Sequence, residues 1–378
     1  MTTLLSPSEI ASALQLRDLS DPDSGPHAIQ TLLDGAIEAL CGRWQCPADT
    51  HRPRGLVAVE DNYDRLGYAP AAITRDTRYT RYASDTVMLR SHTSAGIPPV
   101  LRSLAARPTA PEDVLIVLPG LVYRRDVIDR LHVGTPHQVD LWRIVAGKPM
   151  TRADLHDMID TLVNAILPGA AWRTQPAEHP YTQHGLQVDV DHDGEWVELA
   201  ECGLAAPHVL AGAGLDPPHC SGLALGMGLD RALMLRKNIP DIRLLRASEP
   251  RIAQQMLDLT PWQTVSMMPP VRRDLSIVTD GSDDEEILGD RARTALAADA
   301  DVLESLSIHA VTHHEQLPTH VRERLATRPG QTNILLRLVL RPIDRTLTDT
   351  EANHLRDRVY AALHRGPVME WAGSHSPC

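Results

Sequence analysis

Gly222-Leu-Ala-Leu-Gly-Met-Gly-Leu-Asp-Arg231 is the stretch on which the fold turns. Gly222 to Gly228 reads as a strand, and Leu229 to Lys237 continues as a helix. The glycines at 222, 226 and 228 allow another group to approach the backbone closely. Arg231 stands at the start of the helix, where a fixed guanidinium can grip a phosphate through two hydrogen bonds. By itself the pattern reads first as a tight strand-to-helix turn.

Upstream, VLIVL at 114–118 and HQVDLWRIV at 137–145 flank a polar loop, which predicts an antiparallel strand pair. HAIQTLLDGAIEALC at 27–41 repeats apolar residues at threes and fours, an amphipathic helix, and 151–166 is another. Gly55 to Val59, Gly185 to Val190 and Glu195 to Leu199 read as further strands. Residues 60–90, rich in Arg, Tyr and Asp, read as an extended surface connection. Strands follow one another without regular helical crossovers. The fold class is therefore α+β, a mostly antiparallel sheet with helices beside it. After a helical, Pro- and Trp-containing linker comes a second pattern. It has strands at 275–279, 302–311 and 333–341, with helices at 286–297 and 349–363, a split βαβ or ferredoxin-like arrangement. The expected divisions are 1–250, a linker at 251–266, and 267–378.

A length of 378 residues suits two domains. No apolar run reaches membrane-span length, and Met1 to Glu9 lacks the basic and apolar regions of a secretory signal, so the expected location is cytoplasmic. The five cysteines are scattered, and Cys41 and Cys46 are spaced too loosely for a zinc pair, so they read as reduced thiols. His313, His314 and His320 sit in a polar stretch that reads as a surface loop rather than a metal site. A net charge of −12 excludes a broad basic face, so any nucleic acid must meet a local patch.

Three further segments carry chemistry: Met88-Leu-Arg-Ser-His-Thr-Ser94, Val122-Tyr-Arg-Arg-Asp126 with His137-Gln-Val-Asp140, and Glu195-Trp-Val-Glu198 through Gly203. Arg124 and Asp126 would alternate on one strand face, as a phosphate grip with its orienting acid or as an exposed ion pair. Gln138 and Asp140 share a face, as an ammonium site or as a half-polar strand.

The combination resembles the α-subunit catalytic core of phenylalanyl-tRNA synthetase, a class II aminoacyl-tRNA synthetase. LRSHTS at 89–94 is similar to the family's LRTHTS, and VYRRD at 122–126 with HQVD at 137–140 to its VYR-x-D and HQ-x-E. GLDPPHCSGLALGMGLDR at 214–231 is similar to GIDP…SGFAFGMGMER. Pro269 to Ser276 and Asp344 to Asp349 resemble the ferredoxin-fold anticodon-binding domain, and a fusion of the two resembles the single-chain mitochondrial type. The resemblance implies an aminoacyl-tRNA ligase that uses ATP and Mg²⁺ to activate phenylalanine or a polar aromatic analogue and charges tRNA. It implies a monomer or homodimer with no membrane association. Arg124 should hold the ATP α-phosphate and Arg231 the γ-phosphate, both catalytic, with Asp126, Gly226 and Gly228 also lining the ATP site. Glu198 should help hold ATP and the metal. His92 and Ser94 should meet the substrate carboxylate or adenylate, and Gln138 and Asp140 its ammonium.

Departures cluster at the amino-acid pocket. The family's FPFTEPS stands here as His179-Pro-Tyr-Thr-Gln-His184, so His179 and Tyr181 replace two aromatics. Asp140 is a shorter acid followed by Leu141 where the family has glycine. Glu201 replaces a small residue, while Ala224 is kept. A Glu, a His and a Tyr at one pocket suit a polar substrate. The alternative is that Glu201 points outward and His179 packs as a neutral ring. Two other functions compete: an adenylate-forming paralogue that loads a non-tRNA acceptor, and a non-catalytic tRNA-binding or regulatory relative.

Phenylalanine is absent, where on the order of ten or more are expected. GC-rich coding accounts for lysine occurring only at Lys148 and Lys237, but not for this absence, since tyrosine and isoleucine survive. Pro136, His179, Tyr181, Leu223 and Leu225 stand where the family places phenylalanine, which reads as selection on the protein's own translation. On this hypothesis, its synthesis under phenylalanine starvation outlasts that of a phenylalanine-containing control in pulse labelling. An equal fall would return the absence to base composition.

Overall fold

The computed structural model describes residues 4–76, 79–107, 113–125, 127–265, 269–281, 283–343 and 345–369. They form two compact units that do not follow a single cut along the chain. The first comprises Met1–Arg124, Thr135–Pro240 and Gln254–Trp262, and the second Arg125–Gly134, Asp241–Ala253 and Gln263–Cys378.

Strands β1 (Ala48–Thr50), β2 (Leu56–Ala58), β3 (Val87–Leu89), β4 (Asp113–Leu121), β5 (His137–Ala146), β6 (Trp172–Pro176), β7 (Thr182–His192), β8 (Glu195–Ala205) and β9 (Cys220–Gly228) belong to the first unit. Seven of them form one sheet in the order β1-β4-β5-β9-β8-β7-β6, antiparallel throughout except where β1 runs parallel to β4. The sheet is the mostly antiparallel one expected.

The unbroken apolar run of β4 is buried on both sides. Val114, Ile116 and Leu118 form one core with Trp142 and Ile144 of β5, Ile97, Leu101 and Leu104 of the helix Ile97–Ala105, and Val209 and Leu210 of the helix Pro207–Gly212. Each such side chain contributes about 1.5–3 kcal/mol of burial. The helix expected at 27–41 spans Ala28–Trp44 and stops where Gln45 turns left-handed at φ 55°. The helix Arg152–Ile166 starts from a capping box, Thr151 with Asp154.

Two expectations are corrected. Residues 60–90 are not extended: a helix at Val59–Asn62 is followed by tight turns around Tyr63, which is 1% exposed and donates from its hydroxyl to the Thr74 carbonyl at 2.8 Å. A tyrosine buried from a polar segment pulls the chain inward. Nor does Arg124 lie on a strand, because β4 ends at Leu121. The helices Pro7–Leu14, Ile97–Ala105, Pro207–Gly212 and Thr319–Leu325 have no counterpart in the sequence reading.

In the second unit, β10 (Val271–Thr279), β11 (Leu303–His313) and β12 (Thr332–Leu340) form an antiparallel sheet in the order β10-β12-β11. With the helices Glu285–Leu296 and Asp349–Leu363, the described residues run β-α-β-(α)-β-α, the split βαβ pattern. Ile277, Leu288, Leu336 and Val359 lie in one core, which also takes in Ile128. His313 and His314 contact the hydroxyls of Thr332 and Thr327.

Lys237, at the end of the helix Leu229–Lys237, is fully buried in the first unit. Its ammonium donates to the carbonyls of Asp258 at 2.7 Å and Thr260 at 2.6 Å, which pins the stretch after the helix. Removing it strands two carbonyls. Lys237→Ala is expected to lower the unfolding free energy by roughly 2–4 kcal/mol in denaturant titrations.

Candidate active site

The register of three strands builds the floor. Gly226 of β9 pairs with Asp140 on one side and Glu201 on the other. Gly228 pairs with Gln138, and Ala224 lies between Trp142 and Gly203. Directly paired residues share a face, as do alternate residues on a strand. Gln138, Asp140, Trp142 and Glu201 therefore flank a strip of residues with little or no side chain. The glycines differ in their reason. A Cβ at Gly203 would lie 2.7 Å from the Thr182 Cβ and one at Gly222 2.7 Å from the Arg143 carbonyl, so both are needed for packing. At Gly226 and Gly228 the nearest atoms are 4.0 Å away, Asp140 Oδ2 and Arg231 Cβ respectively, so these two keep an open space rather than relieve a clash.

Asp140 is buried, and its carboxylate accepts from Thr93 Oγ1 at 2.6 Å, Ser94 Oγ at 3.0 Å and Trp142 Nε1 at 3.0 Å. Burial raises its pKa, and these three hydrogen bonds oppose the rise. Ser94 is thus brought to Asp140 across 46 residues.

Rings form a wall. His92 stacks on Tyr68 at 5.8 Å between centroids, Tyr68 lies 6.2 Å from Tyr181, and Tyr181 stacks on Trp142 at 6.2 Å. Burial first, then the charge of Arg124, pushes the His92 pKa down to about 4, so the ring is neutral at physiological pH. Its Nε2 lies 3.4 Å from Asn62 Nδ2. Its Nδ1 is buried without a partner among the described residues, the kind of atom a ligand satisfies.

His179 Nε2 meets Glu201 Oε2 at 2.9 Å, and its ring lies 5.5 Å from Tyr181. That hydrogen bond first, against the opposing effect of burial, holds the Glu201 carboxyl below its usual range, with Arg124 adding to it. Glu201 thus pairs with His179 rather than turning away from it.

Arg231 is the third residue of its helix. Its Nη1 lies 3.4 Å from the Glu198 carbonyl oxygen and 3.9 Å from Glu198 Oε2. Glu198 is exposed and pairs across β7 with Asp189, a buried acid already engaged by Arg173, Gln175 and Gln187. A clamp fixes two of these elements: His137 Nδ1 meets Asp230 Oδ1 at 2.9 Å, and Asp230 also accepts from the His137 backbone. The neighbours of that pair are Gln138 and Arg231. Leu19 N donates to His137 Nε2 at 2.9 Å, which leaves the imidazole proton on Nδ1.

Every expected site residue except Asp126, which lies outside the described residues, belongs to the first unit. The sequence reading missed Tyr68, Trp142, Thr93 and Asn62. Thr93 lay inside a quoted motif and Trp142 one alternation beyond Asp140, whereas nothing local marked Tyr68.

Comparison with known proteins adds relatives. The family model "tRNA synthetases class II core domain (F)" matches residues 60–256. The "Phenylalanine--tRNA ligase alpha subunit" of Nostoc punctiforme is 33% identical over 236 residues, 62% of this chain and 68% of the relative. Its counterpart in Prochlorococcus marinus is 36% identical over 194 residues, 51% of this chain and 56% of the relative. That in Mycobacterium avium is 35% identical over 195 residues, 49% and 55%. The chain thus spans between about half and two thirds of the length of these relatives.

The open floor makes a direct prediction. Gly226→Ala fits without a clash, so its melting temperature should stay within about 4 °C of wild type. Its methyl group would project into the strip between Asp140 and Glu201. Ligand affinity, measured by calorimetry with an aromatic amino acid, should fall about tenfold or more.

Proposed function

The chain belongs to the class II phenylalanyl-tRNA synthetase family, and from that premise we propose that it activates an aromatic amino acid with ATP and transfers it to tRNA. The observation that carries this reading is the placement of two arginines around the open floor. Arg231 stands beside Gly228, and the charge of Arg124 reaches both His92 and Glu201.

In the first step a carboxylate oxygen of the amino acid attacks the ATP α-phosphorus. The bond to the β-phosphate bridging oxygen breaks, and pyrophosphate leaves with the electron pair. No covalent enzyme intermediate is needed, so the protein's contribution is position and charge. Arg124 would steady the α-phosphate and Arg231 the γ-phosphate. The described residues hold no cluster of three His, Cys, Asp or Glu side chains suited to a metal. The exposed carboxylate of Glu198, beside Arg231, would be the protein contact of a Mg²⁺ ion that accompanies ATP. When bound, the ion neutralises phosphate charge. In the second step a terminal ribose hydroxyl of tRNA attacks the carbonyl carbon and AMP leaves.

The expected organisation, a catalytic domain over 1–250 and an anticodon-binding-like domain over 267–378 joined by 251–266, is part of the proposal. So is the cytoplasm as its place of work. No helix among the described residues is long and apolar enough to cross a membrane.

The preferred substrate is proposed to be a ring-hydroxylated or otherwise polar phenylalanine analogue. Tyr68, His179, Tyr181 and Glu201 place polar atoms at the pocket, and a partner hydroxyl would satisfy them. An unsatisfied buried polar group costs about 1–3 kcal/mol, a preference of severalfold to a hundredfold.

ATP–pyrophosphate exchange tests both parts. Exchange should depend on an aromatic amino acid and on Mg²⁺, and Arg231→Ala should slow it roughly a hundredfold or more. Undiminished exchange in that variant would remove Arg231 from the reaction. A higher kcat/KM for plain phenylalanine than for its hydroxylated analogues would end the polar-substrate proposal. Charging of total tRNA then separates a ligase from an enzyme with another acceptor.

A further inference from the structure

We infer that Ile128 is a positioning residue for Arg124: it pegs the chain that follows Arg124 into the core of the second unit, so that the grip on the ATP α-phosphate depends on that unit. The inference rests on the proposed reading of Arg124 as that grip.

Arg124 stands on the connection between β4 and β5. The base of this connection is fixed within the first unit. The backbone N–H of Val122 donates to the Pro136 carbonyl, and that of Tyr123 to the Arg90 carbonyl, both at 2.9 Å. The first unit's opening stretch ends at Arg124, and its next stretch begins at Thr135. The residues between them, 125–134, belong to the second unit. One peptide bond therefore joins Arg124 to a segment that is held by other partners.

Those partners all lie in the second unit. Ile128 is 4% exposed and shares a core with Leu303, Leu306 and Leu336. It forms an antiparallel bridge with Leu306 of β11, whose N–H donates to the Ile128 carbonyl at 3.0 Å. β11 is an edge strand of its sheet. An edge leaves a row of backbone groups unpaired, and the bridge satisfies one of them. The helix Glu285–Leu296 holds the residues before the peg. Arg125 Nε donates to Asp290 Oδ2 at 3.1 Å, and Arg293 Nη2 donates to the Val127 carbonyl at 2.9 Å. Asp290 and Arg293 are three residues apart and so share one face of that helix. Beyond the peg, the Arg130 carbonyl accepts from the Ile242 N–H at 2.8 Å.

An isoleucine buried from a connection, with its neighbours tied on both sides, leaves the backbone at Arg125 little freedom. The Arg124 side chain then starts from a fixed point. In a reaction catalysed by position, a small displacement of such a group is costly. On this reading the second unit contributes to amino-acid activation before any RNA is bound.

The test uses two ligands that differ only in the α-phosphate, adenosine and AMP, with binding measured by calorimetry on the full chain. Ile128→Ala should weaken AMP about tenfold or more and leave adenosine within about twofold, because the lost contact is a charge-assisted hydrogen bond to phosphate. Ile128→Val, which keeps most of the peg, should stay within about threefold of wild type for both ligands. Ile277→Ala is the control for stability. Ile277 is fully buried in the same core, but on β10 at the opposite edge of the sheet. It should lower the melting temperature as Ile128→Ala does, yet leave both ligands within about twofold. Asp290→Ala loosens the segment without touching the core and should weaken AMP severalfold, again with adenosine unchanged. The inference is overturned if Ile128→Ala lowers the melting temperature but keeps the wild-type margin of AMP over adenosine. It is also overturned if Ile277→Ala loses that margin as well. Should Ile128→Ala not fold, an unchanged margin in Asp290→Ala overturns it. Wild-type protein that favours AMP over adenosine yet exchanges no pyrophosphate would refute the ligase reading, and the comparison of variants would still stand. If the wild type does not favour AMP over adenosine, Arg124 loses its proposed role and the inference falls with it.

Discussion

A carboxylate buried inside a sheet must be compensated where it stands, because an uncompensated buried charge costs several kcal/mol. Asp140 sets that constraint here. Its three donors come from a turn nearly fifty residues upstream and from a tryptophan two residues on. Meeting its need ties the turn Thr93–Gly96 to β5 and fixes the plane of Trp142. From Trp142 the ring contacts pass to Tyr181, Tyr68 and His92. One acid thus orders an aromatic wall whose members lie far apart in the chain.

A second polar link does similar work at the end of the floor. His137 is fully buried and held from two sides, by Asp230 and by the backbone of Leu19. His137 and Asp230 each neighbour a residue with a proposed role, Gln138 and Arg231. Rigidity at such points matters for a reaction catalysed by position, where small displacements are costly. The N-terminal stretch joins this clamp through the backbone N–H of Leu19 and through Asp18, whose carboxylate lies 3.8 Å from His137 Nε2.

The absence of phenylalanine can be seen in how space is filled. Leu223 and Leu225 are buried and packed in β9, where aliphatic volume serves. Of the six tryptophans and seven tyrosines, Tyr63, Tyr68, Trp142 and Tyr181 meet His92 and His179 at the pocket. Tyrosine and tryptophan bring a hydroxyl or an indole N–H that must be satisfied. A wall built from them is polar at its edges, and Thr80, Ser94 and Asp140 supply partners.

Periodicity in the sequence was enough for the strand pair β4–β5, the helices at 28–44, 152–166 and 349–363, and the α+β class, because these depend on which residues along a short stretch are apolar. The motifs likewise singled out Arg124, Asp140, Gly226 and Arg231, all of which fall in the first unit. Only the tertiary structure decided that β9 lies between β5 and β8 in a register that sets Gly226 opposite both Asp140 and Glu201. It alone turned the polar stretch at 60–90 inward on Tyr63 and Tyr68, and grouped residues 125–134 with a unit whose other stretches begin more than a hundred residues later. Strand order and register arise from long-range packing. A shift of one residue would turn Glu201 to the other face, and no local pattern in the chain records which choice was made.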